Sequence, residues 1–457
     1  MRGLSRLGAL ALLLLAALLL ATGCGGDDEA AGEEPGGTQA TGTTEFPTEP
    51  VKLVMWWWGE QEAAGAEQWL KETIDLYREK HPNVTIEPVL QTTDGLIPAF
   101  KAAAAAKEGP DIQYFWGGIW SLEDAWAGHT KPVSDYIPEE ELAHYINASE
   151  DTWDGKVWTA PWYVQPSFPV LYRNDVLEEA GVSAPTTWEE LLAACDALNA
   201  EGITPIAGGI KDGWFGGWLY SMIGVQGLSS TSDVLQAVAG EQSFTDAQHA
   251  EWWNRLAEMR EHECWNEDIN SLELYQGQQR WTQGKAAMTI VAGSDAKKFI
   301  EDVGPDKVGV MAMPKWSDSP LGGKLGSTSQ TVGITEWTEY PEVAADFIMF
   351  MHDPERMQAW FETTGAFPAD DRFDQSSIEL EQQQDLFELV KDGAPYIENF
   401  IPTQLDSEAI FANVQLLLAG DATPEAAAEA TEQVAERIRR TQRDLIENFR
   451  AWAESAK

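Results

Sequence analysis

The chain has 457 residues, with 75 acidic against 30 basic side chains and a formal charge of −45. Single hydrophobic cores stop growing near about 250–300 residues, so this length predicts two folded domains. The acidic excess excludes nucleic acid as a partner, because that would need a basic footprint, and it fits a heavily solvated surface.

Arg2 and Arg6 open an apolar run from Leu7 to Ala21. That run is shorter than the ~20 residues that span a bilayer, so residues 1–23 read as a targeting segment. Ala21-Thr22-Gly23-Cys24 resembles a bacterial lipobox. The resemblance implies cleavage before Cys24, acylation of its thiol and a tether to the outer side of a membrane. Residues 24–50 are rich in Gly, Glu, Thr and Pro. They read as a disordered leash with an r.m.s. span of roughly 30 Å.

Apolar periodicity then predicts a strand over 51–56, a helix over 60–80 through Ala66, Trp69, Thr73 and Tyr77, and a strand over 84–90. An alanine-rich helix within 95–107 and a strand over 111–115 follow. This alternation argues for a parallel sheet with crossover helices, whose ligands gather at the carboxyl ends of the strands. Two of those ends read Trp57-Trp58-Gly59-Glu60 and Trp116-Gly117-Gly118-Ile119-Trp120.

Asp154-Gly155-Lys156 marks a hairpin turn. Pro161-Trp162-Tyr163-Val164-Gln165-Pro166 suits an extended segment along a groove, and Val170 to Asp175 continues it. Thr187 with Glu190 has the form of a capping box. Trp188, Leu191, Leu192, Cys195 and Leu198 give helical spacing up to Gly202. Ile203 to Ala207 reads as a short buried strand. An aromatic-glycine loop, Gly213 to Trp218, precedes helices near 246–262 and 272–283. Further strands are expected at 308–313 and 331–335, and helices fill most of 376–455. Cys195 sits on an apolar helix face, so a buried free thiol is the expectation. A disulfide with Cys264 stays open.

Five segments carry a resemblance when taken in order. They are Asp154-Gly155-Lys156, Pro161-Trp162-Tyr163, Tyr172-Arg173-Asn174-Asp175, Thr187-Trp188-Glu189-Glu190-Leu191 and Gly202-Ile203-Thr204-Pro205-Ile206. With Gly284-Lys285-Ala286-Ala287-Met288, they resemble the family 1 extracellular solute-binding proteins, the sugar-binding subunits of bacterial ABC importers. The resemblance covers nearly all of 51–440. It implies an α/β, two-lobed, periplasmic-binding-protein-like (type II) fold, each lobe a mostly parallel sheet flanked by helices, with the ligand cleft between lobes. Residues 51–162 with 314–369 would form lobe 1, and 163–313 with 370–457 lobe 2. The chain would cross near 160–164, 310–326 and 366–372. The implied role is a monomeric receptor, held at the cell surface or in the periplasm. It would capture a sugar or oligosaccharide and deliver it to permease subunits, without cofactor or catalysis.

Of 21 tryptophans, Trp69, Trp188 and Trp253 fall at helical apolar positions and are expected in the core. Trp58, Trp116, Trp162, Trp214 and Trp218 sit beside Gly or Pro, and Trp120 two residues from Gly118, in predicted loops. These six, with Trp57 next to them, are expected to cover the apolar faces of a sugar ring. Glu60 lines up with the family's acidic ligand-binding position, the alternative being a carboxylate at a helix N-terminus. Asp94, Gln165, Asp295 and Asp406 complete the expected polar set.

No metal or catalytic signature competes. The chain lacks His-Glu-x-x-His and Cys-x-x-Cys, and Gly322 to Thr328 lacks the spacing of a phosphate loop. No acidic pair stands out as a glycosidase dyad. Two rival functions remain on composition: a receptor for an organic cation, since tryptophans with carboxylates suit an aromatic cage, and a secreted glycoside hydrolase.

Overall fold

The computed structural model describes residues 46–391 and 393–455. The targeting segment, Cys24 and the first part of the leash therefore lie outside the described residues. No described helix is long and apolar enough to cross a membrane.

Among the described residues two larger sheets organise the chain. The first runs Phe367–Pro368, Ala160–Pro166, Gly326–Thr335, Ile112–Phe115, Val51–Trp57, Val84–Leu90. The second runs Val308–Met311, Val170–Arg173, Ala286–Ile290, Thr204–Ala207. Both are mixed rather than mostly parallel. Val51–Trp57 is parallel to Val84–Leu90 and to Ile112–Phe115, as strand-helix-strand alternation demands. Gly326–Thr335, however, runs antiparallel to Ile112–Phe115 and to Ala160–Pro166. A strand arriving from the other sheet needs no crossover helix, so nothing holds it to the parallel direction.

The chain passes between sheets through Ser167-Phe168-Pro169, returns between Met311 and Gly326, and leaves the first sheet again after Pro368. Helices cover both sheets by the expected periodicity. In Ala66–Lys80 the buried positions are Ala66, Trp69, Leu70, Thr73, Ile74 and Tyr77, one stripe of a 3.6-residue repeat. Trp69 packs edge-on to Trp360, with ring centroids 5.1 Å apart, and donates to the Arg356 carbonyl at 2.9 Å.

Trp188–Ala200 begins with the capping box of Thr187 and Glu190. Trp69, Trp188 and Trp253 are each only 1% exposed, so all three are core. Cys195 is not a free thiol: it is joined to Cys264. The Ile206 N–H donates to the Cys264 carbonyl at 2.8 Å, which lays the Cys264 segment beside Thr204–Ala207, under the helix that carries Cys195. Periodicity shows that a helix face is buried but not which distant residue it meets.

Candidate ligand-binding site

A cavity of about 460 Å³ lies between the two sheets, within the ~300–1,000 Å³ usual for small-molecule sites. Its first wall stands at the carboxyl ends of the parallel strands. Trp58 follows Val51–Trp57, and Trp116 follows Ile112–Phe115. Trp58, Trp116 and Trp120 form an edge-on series, with centroids 5.5 and 5.6 Å apart. The Trp58 indole N–H is fixed on the Thr93 hydroxyl at 3.0 Å. Thr93 opens the helix Thr93–Ala106, which also brings Asp94 and Lys101 to the wall.

The opposite wall comes from Trp214 and Trp218, 5.3 Å apart, with Phe168 from the first crossing. Polar groups enter from Gln165 and Gln330 on adjacent strands and from Tyr396, Glu398 and Asn399 around the turn Ile397–Phe400. Backbone approaches are close here. A Cβ on Gly118 would stand 2.7 Å from the Asn399 carbonyl, and one on Gly217 would collide with the Glu398 carboxyl. Both positions therefore need glycine for the walls to meet.

Several hydrogen bonds join the walls. Asn399 donates to the Trp116 carbonyl at 2.6 Å and to the Thr328 hydroxyl at 2.8 Å. The Tyr275 hydroxyl donates to Glu62 at 3.2 Å. The Ser294 hydroxyl lies between the Glu62 carbonyl and the Gln165 side-chain oxygen, 2.5 Å from the latter.

Seven of the twelve residues expected at the ligand lie on this cavity: Trp58, Asp94, Trp116, Trp120, Gln165, Trp214 and Trp218. The other five do not line it. Trp57 is the last residue of Val51–Trp57 and is buried in the core, 2% exposed, while Trp58 just beyond the strand end reaches the cavity. Trp162 packs among Trp69, Tyr163 and Trp360. Glu60 takes its alternative role: its carboxylate accepts from the Gly65 N–H at 3.0 Å and the Glu67 N–H at 2.7 Å, at the start of Ala66–Lys80. Asp295 borders a separate cavity of about 430 Å³ beside Tyr275. Asp406 is wholly buried against the Glu398 carboxyl.

The acid that does reach the wall from the first loop is Glu62, two residues after Glu60. The Gly59 carbonyl accepts from the N–H groups of both Glu62 and Ala63, at 2.9 and 2.7 Å. That turn points Glu60 to the helix end and Glu62 to the cavity. Glu398, Tyr396 and Asn399 were also beyond reach of the sequence. They lie in a short turn without periodicity, directly after Ala394–Pro395, which rejoins the first sheet beside Gly326 and Ser327.

The wall is acidic. Burial pushes the Glu62 carboxyl up to about 8, partly opposed by the Tyr275 hydroxyl bond, with Asp295 and Glu398 adding repulsion. Burial also raises Glu398, against the bond from Tyr396 at 2.5 Å, and raises Asp406. Among the described residues no group of three or more His, Cys, Asp or Glu is arranged to hold a metal ion.

Residues 72–387 match the family of bacterial extracellular solute-binding proteins. The chain belongs to that family. Over 171 residues this solute-binding protein is 44% identical to a probable sugar-binding periplasmic protein of Rhizobium meliloti, covering 36% of this chain and 40% of that one. Over 189 residues it is 29% identical to an uncharacterized ABC transporter extracellular-binding protein of Pyrococcus horikoshii, covering 39% and 43%. The chain thus spans about two fifths of the length of the curated relatives it matches. Among solved structures it resembles a chitin oligosaccharide binding protein, with a TM-score of 0.74 and 22% identity over 84% of this chain and 98% of that one. It also resembles a maltose/maltodextrin-binding domain of Bdellovibrio bacteriovorus bound to maltotriose, with a TM-score of 0.70 and 16% identity over 85% and 100%. Identities this low establish the shared two-lobed fold.

Proposed function

We propose that this solute-binding protein is the carbohydrate receptor of an ABC importer, anchored through Cys24 on the outer side of a membrane, and that its solute is held in the cavity between the lobes. The observation that carries the reading is the wall itself. Five tryptophans from both lobes bound the cavity, and side-chain amides and carboxyls stand among them. A sugar ring has apolar C–H faces for indoles and a hydroxyl rim for polar groups. The partial match to a probable sugar-binding protein and the fold shared with oligosaccharide-binding proteins point the same way.

Capture would work by closure. Asn399, Tyr275 and Ser294 bridge the two sides of the cleft in this structure, the contacts that a closed form would use. A solute touching both walls therefore favours the closed form over the open one, the differential affinity that any such shift requires. The closed form would then be what a permease reads. A thermal-shift screen against mono- and oligosaccharides tests the proposal. At a hundredfold excess over Kd the bound solute should stabilise the protein by about 2.7 kcal/mol. No shift with any saccharide would remove the reading.

A further inference from the structure

Three carboxyl groups meet at one end of the cavity without a countercharge among the described residues. Glu62 and Glu398 lie on the wall, 7% and 5% exposed, and Asp406 lies behind Glu398. The groups that face Glu62 are Tyr275 from Leu274–Thr282, Asp295 from Gly293–Asp295 and Glu398 from Ile397–Phe400. Tyr114 and Tyr163 from the first sheet stand nearby. None of these is a cation. The wall's lysine, Lys101, is half exposed and points its ammonium at Glu123, 3.9 Å away.

An uncompensated buried carboxylate is costly, and a free protein relieves it by holding a proton. The raised Glu62 and Glu398 carboxyls are that response. A ligand can relieve the same cost by bringing positive charge, and the surrounding rings of Trp58, Trp218 and Tyr396 would attract that charge further. A second, independent feature of the wall asks for something else. Gln165 is 2% exposed, and its amide nitrogen has no acceptor among the described residues. Such a donor calls for a ligand oxygen. Hydroxyl-type oxygens and a cationic nitrogen are thus wanted in the same molecule.

We propose that the solute is an amino sugar, whose protonated ring amine sits against Glu62 and Glu398 while its hydroxyl groups meet Gln165. This rests on the carbohydrate-receptor reading and narrows it. Binding has a proton balance. The incoming ammonium favours the ionised form of Glu62, so at pH 7 the complex forms with release of a carboxyl proton to the buffer.

The test is titration calorimetry of the full chain at pH 7 with matched saccharides in gluco, galacto and manno configuration. Each is supplied with a free amine, an N-acetyl group or a hydroxyl at the same carbon. The amine form of the preferred sugar should bind at least tenfold more tightly than its two neutral counterparts. Its apparent enthalpy should change with the ionisation enthalpy of the buffer, as proton release requires. Glu62→Gln should bring the amine-to-hydroxyl affinity ratio below threefold, and the ratio is read whatever the absolute affinity becomes. Glu398→Gln gives the same readout if Glu62→Gln does not fold. Equal or tighter binding of the neutral forms, with a ratio indifferent to both substitutions, overturns the amino-sugar inference and leaves the carbohydrate receptor standing. If no saccharide of any kind binds, both fall.

Discussion

The ring of Phe168 lies flat on Trp218, with centroids 3.8 Å apart and planes 11° apart, where the chain first leaves the first sheet. Phe168 holds this position with φ at 37°, in the left-handed region that bulky residues avoid. The residue is 1% exposed and its ring is held by Trp218 and, at 5.3 Å, by Tyr396, so packing over-determines a strained backbone. Truncation should separate the two effects. Phe168→Ala should lower stability by about 3–4 kcal/mol, as core phenylalanine truncations do. Phe168→Gly loses the same ring but relieves the left-handed strain, so it should be about 1 kcal/mol more stable than the alanine variant. Urea unfolding ranks the pair. An alanine variant more stable than the glycine one would show that no strain is stored at the crossing.

The disulfide between Cys195 and Cys264 closes a loop of 69 residues. In the chain-entropy account a loop of that size stabilises by about 4 kcal/mol. Reduction, or Cys195→Ser with Cys264→Ser, should therefore lower the melting temperature markedly. Neither cysteine lines the cavity, so ligand affinity of the folded fraction should stay within a factor of two. Melting with and without reductant, followed by calorimetry, checks both halves.

How much of this was legible in the sequence depends on which force set each feature. Trp69, Trp188 and Trp253 were readable as core because helical periodicity and burial are the same fact seen twice. Trp58, Trp116 and Trp120 were readable as cavity wall because parallel strands place their carboxyl ends side by side. Trp57 and Trp162 were misplaced because closeness to a turn residue, Gly59 or Pro161, does not say which side of the sheet a ring takes. Glu62 was missed for the same reason: a turn two residues long decides between it and Glu60. The partner of Cys195, the direction of Gly326–Thr335 and the arrival of Glu398 are all contacts between distant segments, which local pattern does not encode.

Buried acids also set the pH dependence of the free protein. Burial raises Glu62 to about 8, and Asp151 and Asp295 to about 7, from ordinary values near 4. A carboxyl raised in the folded state holds a proton that the unfolded chain has already lost. Its contribution is complete below about pH 4 and disappears as pH rises through the folded value. Asp268 has the opposite sign. The hydrogen bonds from Arg280 hold it down at about 2 despite burial, so its contribution is lost only as pH falls well below 4. Between pH 5 and 8 the raised group dominates, and stability should fall by about 2 kcal/mol or more. Asp151, which accepts from the Ser121 hydroxyl away from the cavity, supplies the control. Asp151→Asn should flatten the slope of melting temperature against pH. A steeper slope, or stability that rises toward pH 8, would contradict the assignment.

Glu60 and Trp214 offer the sharpest separation between architecture and binding. Glu60 accepts two backbone N–H groups at the start of Ala66–Lys80, groups that would otherwise lack helical partners. Glu60→Ala should cost about 1 kcal/mol of stability, the usual size of a lost cap, and leave affinity unchanged. Trp214 is half-buried, and its ring meets Trp218 at 5.3 Å and Tyr275 at 5.8 Å while facing the cavity. Trp214→Ala should weaken solute binding by about 2 kcal/mol, roughly 30-fold, as loss of an aromatic anchor does. Its melting temperature should move little, because the ring is only partly covered in the free protein. Calorimetry and melting of the two variants form a crossed comparison, in which each should fail in only one assay. If Glu60→Ala binds weakly yet melts normally, its carboxylate reaches the solute after all, and the site extends past Glu62 into the first loop.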